Sequence, residues 1–166
     1  ESMGKAKVAF AGLAASGAGI AVAANAAIKF ESAMADVAKV VEGTDQQMQG
    51  LASRIKEMTA TIPLAATELA QIAAAGGQLG VPIEKLDQFI TLAATMATAS
   101  NMSAEQAGQA VAKLSNVFNL PLEEVRKRGD AINLLGNTTG ARESDIVEVL
   151  TRIGGTARQF GLTAQQ

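Results

Sequence analysis

The sequence predicts an all-α fold of short helices in antiparallel hairpins, preceded by an Ala/Gly-rich helix. Three observations carry that reading. Hydrophobic residues make up 48% of the 166 positions but aromatic ones only 3%, with no Trp, Tyr, His or Cys. Alanine supplies much of the apolar count, and small unbranched side chains favour helix over strand. Apolar residues recur at spacings of three and four, whereas no window alternates with period two long enough for a strand. Capping and breaking signals recur often enough to set helices of roughly 12–20 residues joined by brief loops.

The first element is Val8–Ile28, 21 residues without a charge, closed by Lys7 and Lys29. Its length could span a bilayer, but ten of its residues are Ala and three are Gly, with Ser16 and Asn25 polar. The six larger apolar side chains (Val8, Phe10, Leu13, Ile20, Val22 and Ile28) supply roughly −2 to −4 kcal/mol of insertion energy, and Gly, Ser and Asn offset part of it. A signal peptide fits Lys5, Lys7 and Ala21-Val22-Ala23, but Gly12, Gly17 and Gly19 dilute its apolar region. Close packing against other helices in an assembly accounts best for so many small side chains.

Phe30 to Thr59 reads as amphipathic helix broken at Glu42-Gly43-Thr44-Asp45, where Thr44 or Asp45 can cap the second half. Met48, Leu51, Ile55 and Met58 form that half's stripe. Pro63 ends it, and Thr67 is expected to cap a helix carrying Leu69, Ile72 and Leu79. Ile83, Leu86, Ile90, Ala93 and Ala97 make the next stripe. Ser103 to Gln106 has capping-box form ahead of Ala107, Val111, Leu114 and Phe118. Pro121 suits the first turn of a helix with Leu122, Val125 and Ile132. The last helix carries Ile146, Val149, Leu150, Ile153 and Phe160.

Residues 71–82, 110–121 and 152–163 align without gaps at offsets of 39 and 42. Ile72, Val111 and Ile153 fall on the buried stripe, and Leu79, Phe118 and Phe160 follow two turns later. Gly80, Asn119 and Gly161 then take the left-handed position that ends a helix, with Val81, Leu120 and Leu162 as the closing apolar contact. An interval of about 40 residues holds two helices, so a helical repeat is expected. The chain divides into an Ala/Gly-rich helix, 1–29, for packing, oligomerisation or membrane contact, and a compact helical domain, 30–166.

Chemistry is poorly served. Without His or Cys, the usual nucleophile–base pairs and most transition-metal sites are closed off. No catalytic, cofactor-binding or metal residue is expected. The acidic groups Glu84 with Asp87, Glu123 with Glu124, and Glu143, Asp145 and Glu148 sit at helix starts, where they complement the helix dipole. Arg126-Lys127-Arg128 spreads round a helix, and the formal charge is −2, so specific nucleic-acid binding is not expected. Gly76-Gly77-Gln78 resembles the catalytic tripeptide of peptide-chain release factors but lies inside a helical pattern, and "GGTARQFG" lacks the Lys of a phosphate loop.

From Lys29 to Val81 the sequence resembles the amino-terminal region of phage tail tape-measure proteins. The match runs through Phe30-Glu31-x-Ala33-Met34-x-Asp36-Val37, a loop, the helix with Leu51, then Thr59, Thr61, Ala66-Thr67-Glu68-Leu69-Ala70 and Gly76-Gly77. Residues 90–120 resemble the family's apolar helix and the helix start after it, so the likeness covers 30 to about 140. The resemblance implies a non-enzymatic structural protein of a phage or prophage virion. Such a protein lies in the tail-tube lumen, helps organise tube assembly and length, and is released at genome ejection. It implies as partners further copies of itself, the tail tube protein, tail assembly chaperones and the baseplate hub. Host cytoplasm is the implied location during assembly. Family members are several times longer and the chain opens on Glu1, so a fragment is expected, with most of the measuring region elsewhere. The competing expectation is a membrane-active helical pore or ejection component, with transient membrane contact through 8–28. A cell-wall hydrolase lacks its catalytic setting here.

Overall fold

The computed structural model describes residues 2–100, 102–139 and 141–159, giving the backbone alone for 2–20, 130, 131, 133, 135–137, 139 and 157–159. The described residues form α1 (Ser2–Val40), α2 (Asp45–Met58), α3 (Ala66–Gln78), a 3₁₀ turn (Ile83–Lys85), α4 (Leu86–Ala99), α5 (Ala104–Phe118), α6 (Leu122–Thr139) and α7 (Glu143–Gln159). No strand occurs among them, so the fold is all-α.

The helix ends follow from local chemistry. Thr44 caps α2 reciprocally, its hydroxyl accepting from Gln47 N at 3.3 Å and its N–H donating to Gln47 Oε1 at 2.9 Å. Ser103 and Gln106 do the same for α5, at 3.2 and 3.0 Å. At α3 the expectation fails: Ala65, not Thr67, is the cap residue, and Thr67 lies in the first turn. Past the bend at Ile62–Leu64, Ala65 is extended (ψ 153°), and Glu68 accepts from Ala65 N at 2.8 Å. The helix therefore starts without a hydroxyl cap.

α3 and α5 both stop through a left-handed residue, Gly80 at φ 77° and Asn119 at φ 51°. Val81 N donates to Gly76 O at 3.0 Å, and Leu120 N to Ser115 O at 2.9 Å, satisfying carbonyls the helix leaves unpaired. Ser115 Oγ also donates to Leu120 O at 2.7 Å, which fixes the second turn. Pro121 stands just ahead of α6, its carbonyl accepting from Val125 N at 3.1 Å. The third expected stop, Gly161, lies outside the described residues, as does Phe160.

α1 is longer than the capping signals suggested, at 39 residues. No Gly or Pro interrupts Ile20–Lys39, so the Ala/Gly-rich segment and the stretch from Phe30 form one continuous helix. Residues 21–29 are exposed throughout, and Phe30 is buried.

Contacts α1–α3, α3–α5 and α5–α7 set the odd-numbered helices in a row, with α4 and α6 packed along it. The core fills the space between with Val37, Leu51, Ile55, Leu69, Ile72, Leu86, Phe89, Ile90, Val111, Leu114 and Val125, all nearly inaccessible. Small residues bring the helices close. A Cβ on Gly108 would lie 3.1 Å from Ala75 Cβ, so α3 and α5 meet almost backbone to backbone.

α7 departs from expectation. Val147 and Gly154 face inward, and a Cβ on Gly154 would overlap the Phe118 ring of α5. The apolar stripe Ile146, Val149, Leu150, Ile153 lies roughly a quarter turn away at 100° per residue. Val149 is therefore 53% exposed and Ile153 59% exposed, where burial was expected.

Candidate interaction surfaces

The acidic groups read from the sequence do not converge. Asp87 on α4 faces Arg54 on α2, Oδ2 to Nε 2.6 Å. The N–H is misaligned and buried Asp87 Oδ1 makes no hydrogen bond, so this is a charge contact tying two helices rather than a built site. Glu124 takes a hydrogen bond from Lys127 Nζ at 2.7 Å one turn on. That bond, and then the Lys127 charge, hold its carboxyl below the usual glutamate range. Asp145 pairs with Arg142 at 3.2 Å and Glu148 with Arg152, while Glu84 and Glu123 are exposed. Among the described residues no cluster of acidic side chains could hold a metal ion.

The basic run behaves as a helix surface. Arg126 and Lys127 are exposed, and Lys127 is committed to Glu124. Gly76 and Gly77 serve packing. A Cβ on Gly76 would lie 2.9 Å from Phe89 Cδ1, and one on Gly77 would lie 2.5 Å from Val41 Cγ2 and 3.0 Å from Val40 O. The tripeptide is thus the place where α3 admits α4 and the end of α1.

Grooves mark the surface of the described residues. One of about 660 Å³ runs between α1 and α3 and is lined by Lys29, Asp36, Lys39, Gln71, Gln78 and Gln109. Another, about 620 Å³, separates α4 from α6. On its α4 side Thr91 and Thr95 donate to their own helix's carbonyls at 2.8 Å, which spends their hydroxyls. A smaller hollow of about 300 Å³ is lined by both left-handed turns, Gly80-Val81-Pro82 and Leu120-Pro121. None sets an acid and a base across an apolar cleft, the arrangement proton transfer needs.

What the molecule offers instead is uncovered apolar helix. Val22 and Ile28 on α1 are 71% and 65% exposed, Leu134 on α6 is 64% exposed, and Val149 and Ile153 on α7 are open as well. Among the described residues no helix is long and apolar enough to cross a membrane. Sequence reasoning placed the α7 stripe in the core because periodicity gives a face, not the partner that covers it.

Comparison with known proteins bears on these helices directly. Residues 52–166 match the family described as phage-related minor tail protein. Over 155 residues the chain is 34% identical to a probable tape measure protein of Halomonas phage phiHAP-1, covering 86% of this chain. The chain belongs to the phage tail tape-measure family. It spans 18% of the length of that relative, and no solved structure matches it. That membership supports a structural role in the phage tail.

Proposed function

We propose that residues 30–166 are a compact head of a tail tape-measure protein, positioning the assembly rather than measuring it. The observation behind this is that the chain repeatedly turns back. As one helix, 166 residues would extend about 250 Å, yet the loop at Val41–Thr44, Pro63, and the stops at Gly80 and Asn119 stack its helices side by side. On this reading the ruler lies in another part of the protein. On this reading the head has no catalytic role, and Asp87, Glu124, Asp145 and Glu148 each face a basic side chain rather than one another.

Residues 1–29 serve as an assembly helix through which copies associate. Val8–Ile28 has too few large side chains to anchor to one neighbour, so close contact between copies is how it gains dispersion energy. By family resemblance the head works in the tube lumen with the tube protein, assembly chaperones and baseplate hub, and leaves at ejection. The wholly exposed stretch 21–29 also suits brief membrane contact, and vesicle flotation with and without residues 1–29 separates that role from assembly.

The test is deletion of residues 71–109, one interval of the repeat, from the phage's tape-measure protein. Tail assembly should fail. Viable tails shortened by about 60 Å, the span of 39 helical residues, would make this segment part of the ruler.

A further inference from the structure

We infer that α6 and α7 form the seat of the next helix of the stack, one that follows Gln166 in the tape-measure protein and packs on them as α6 packs on α4 and α5. This concerns what the stack joins, and goes beyond its proposed role as a head.

α7 sits in the stack as α5 does. Gly108 of α5 meets α3, a Cβ there lying 3.1 Å from Ala75 Cβ, and Ala112 one turn on is buried. Gly154, the residue of α7 aligned with Ala112, meets Phe118 and Val117 of α5. The two helices thus turn equivalent sides to the odd-numbered helix before them, and their inward faces are comparable residue by residue. In α5 that face carries Ala107, Val111 and Leu114, all buried, and the helix has an even-numbered neighbour on either side, α4 and α6. The aligned residues of α7, Val149, Ile153 and Thr156, are all exposed. Among the described residues, the even-numbered helix that packs on α7 is α6.

α6 gives the same account from its own side. Thr95 of α4 lines the groove between α4 and α6, so it marks the side of an even-numbered helix that faces the next one. The residue of α6 aligned with it, at the offset of 39, is Leu134, which is exposed. Where α4 turns a threonine to that side, α6 turns a leucine. Leu134, Val149 and Ile153 therefore border one position, the place of the helix after α7 if the chain keeps its two alternating rows. A second copy would have to match from outside a register that the chain itself delivers, at intervals of 39 and 42 residues. The Halomonas phage relative, of whose length this chain spans 18%, has room for further helix pairs. Stacks of this kind are held by contacts between neighbours, so the added helix orders α6 and α7 first.

The chain has no cysteine, so single substitutions read the cover directly. Leu134→Cys and Ile153→Cys are labelled with a maleimide, beside Gln49→Cys on the exposed side of α2. Each is made in the full-length protein, in a chain ending at Gln166, and in one ending about 40 residues further, a single repeat interval. In the chain ending at Gln166 all three thiols should label at similar rates. In both longer chains the Leu134→Cys and Ile153→Cys thiols should label on the order of tenfold or more slowly than Gln49→Cys, at every protein concentration. Fast labelling of either in the full-length protein overturns the inference, because one helix is to cover both. Protection in the full-length protein but not in the shorter extension overturns it too, since the cover then comes from elsewhere. So does protection that is lost on dilution, which makes a second copy the cover, or protection already present in the chain ending at Gln166. None of these results bears on tail length or tail assembly, which read the head assignment separately.

Discussion

α3 and the Ala21–Lys29 stretch of α1 are both rich in alanine, and they meet opposite fates. Ala70, Ala73 and Ala75 of α3 are buried, whereas every residue from Ala21 to Lys29 is exposed. The difference lies in phase. In α3, Leu69 and Ile72 fall on one face, and the small residues beside them let α5 and α4 approach. In α1, Val22 and Ile28 are six residues apart, about 120° round the helix, so they do not form a stripe. Alanine by itself buries too little apolar area to fix a partner. It decides how close helices come once larger side chains have brought them together.

The strongest way to break this comparison is to truncate an anchor in each helix. Leu69→Ala should cost about 2–5 kcal/mol, the lost transfer energy plus the cavity left among fully buried neighbours. Val22→Ala, at an exposed site, should stay within about 0.5 kcal/mol. Urea unfolding of both variants, at a concentration where the chain is monomeric, reads the difference. Equal losses would mean that the Ala21–Lys29 stretch of α1 is packed as tightly as α3.

Close approach gives the next largest effect. A side chain at Gly77 would press into Val41 Cγ2 at 2.5 Å and Val40 O at 3.0 Å, so Gly77→Ala should destabilise by about 1–3 kcal/mol. Gly155 of α7 has open space at the same point, and Gly155→Ala should stabilise by about 0.5–1 kcal/mol through helix propensity. The opposite signs are the measurement. Two changes of one sign would mean that propensity, and not contact, governs these glycines.

Much of this was legible in the sequence. The break at 42–45, the two capping boxes' hydroxyls, the stripes at Leu51–Ile55, Leu86–Ala97 and Ala107–Leu114, and the left-handed stops at Gly80 and Asn119 all follow from local chemistry acting within a few residues. The start of α3 was missed because Glu68 supplies half a capping box where no hydroxyl stands at Ala65. The orientation of α7 was missed for a non-local reason. Its inward face is chosen by the Phe118 ring, which admits Gly154 and no larger residue, and that turns Ile153 outward. The uncovered surfaces were legible only as apolar stretches, since exposure depends on what the rest of the fold places opposite them.

The stops sharpen the contrast between helices that turn back and the one that runs on. Asn119 adopts φ 51°, a conformation that costs a β-branched residue roughly 1–2 kcal/mol. Asn119→Val should lower stability by about that amount, and Asn119→Gly should be neutral or slightly stabilising. Thermal and urea melts of the pair distinguish backbone strain from loss of a side-chain contact, because the latter would penalise both variants alike.

The smallest expected effect lies at the Glu124–Lys127 pair on α6. Glu124 accepts from Lys127 at 2.7 Å; the Lys127 side chain is largely in water and that of Glu124 partly so. The carboxyl's affinity for protons is lowered in the folded chain, so whatever the pair contributes is present above the ordinary glutamate range. It is lost as the pH falls through the lowered folded value. Surface pairs of this kind are weak and screened by salt. Glu124→Gln should therefore leave the urea midpoint at pH 7 unchanged in physiological salt. At low ionic strength it should produce a small loss that vanishes in acid. A loss at pH 7 as large as that of Gly77→Ala, persisting in high salt, would mean that this face of α6 is buried against a partner, and the division between packed and open surfaces would have to be redrawn there first.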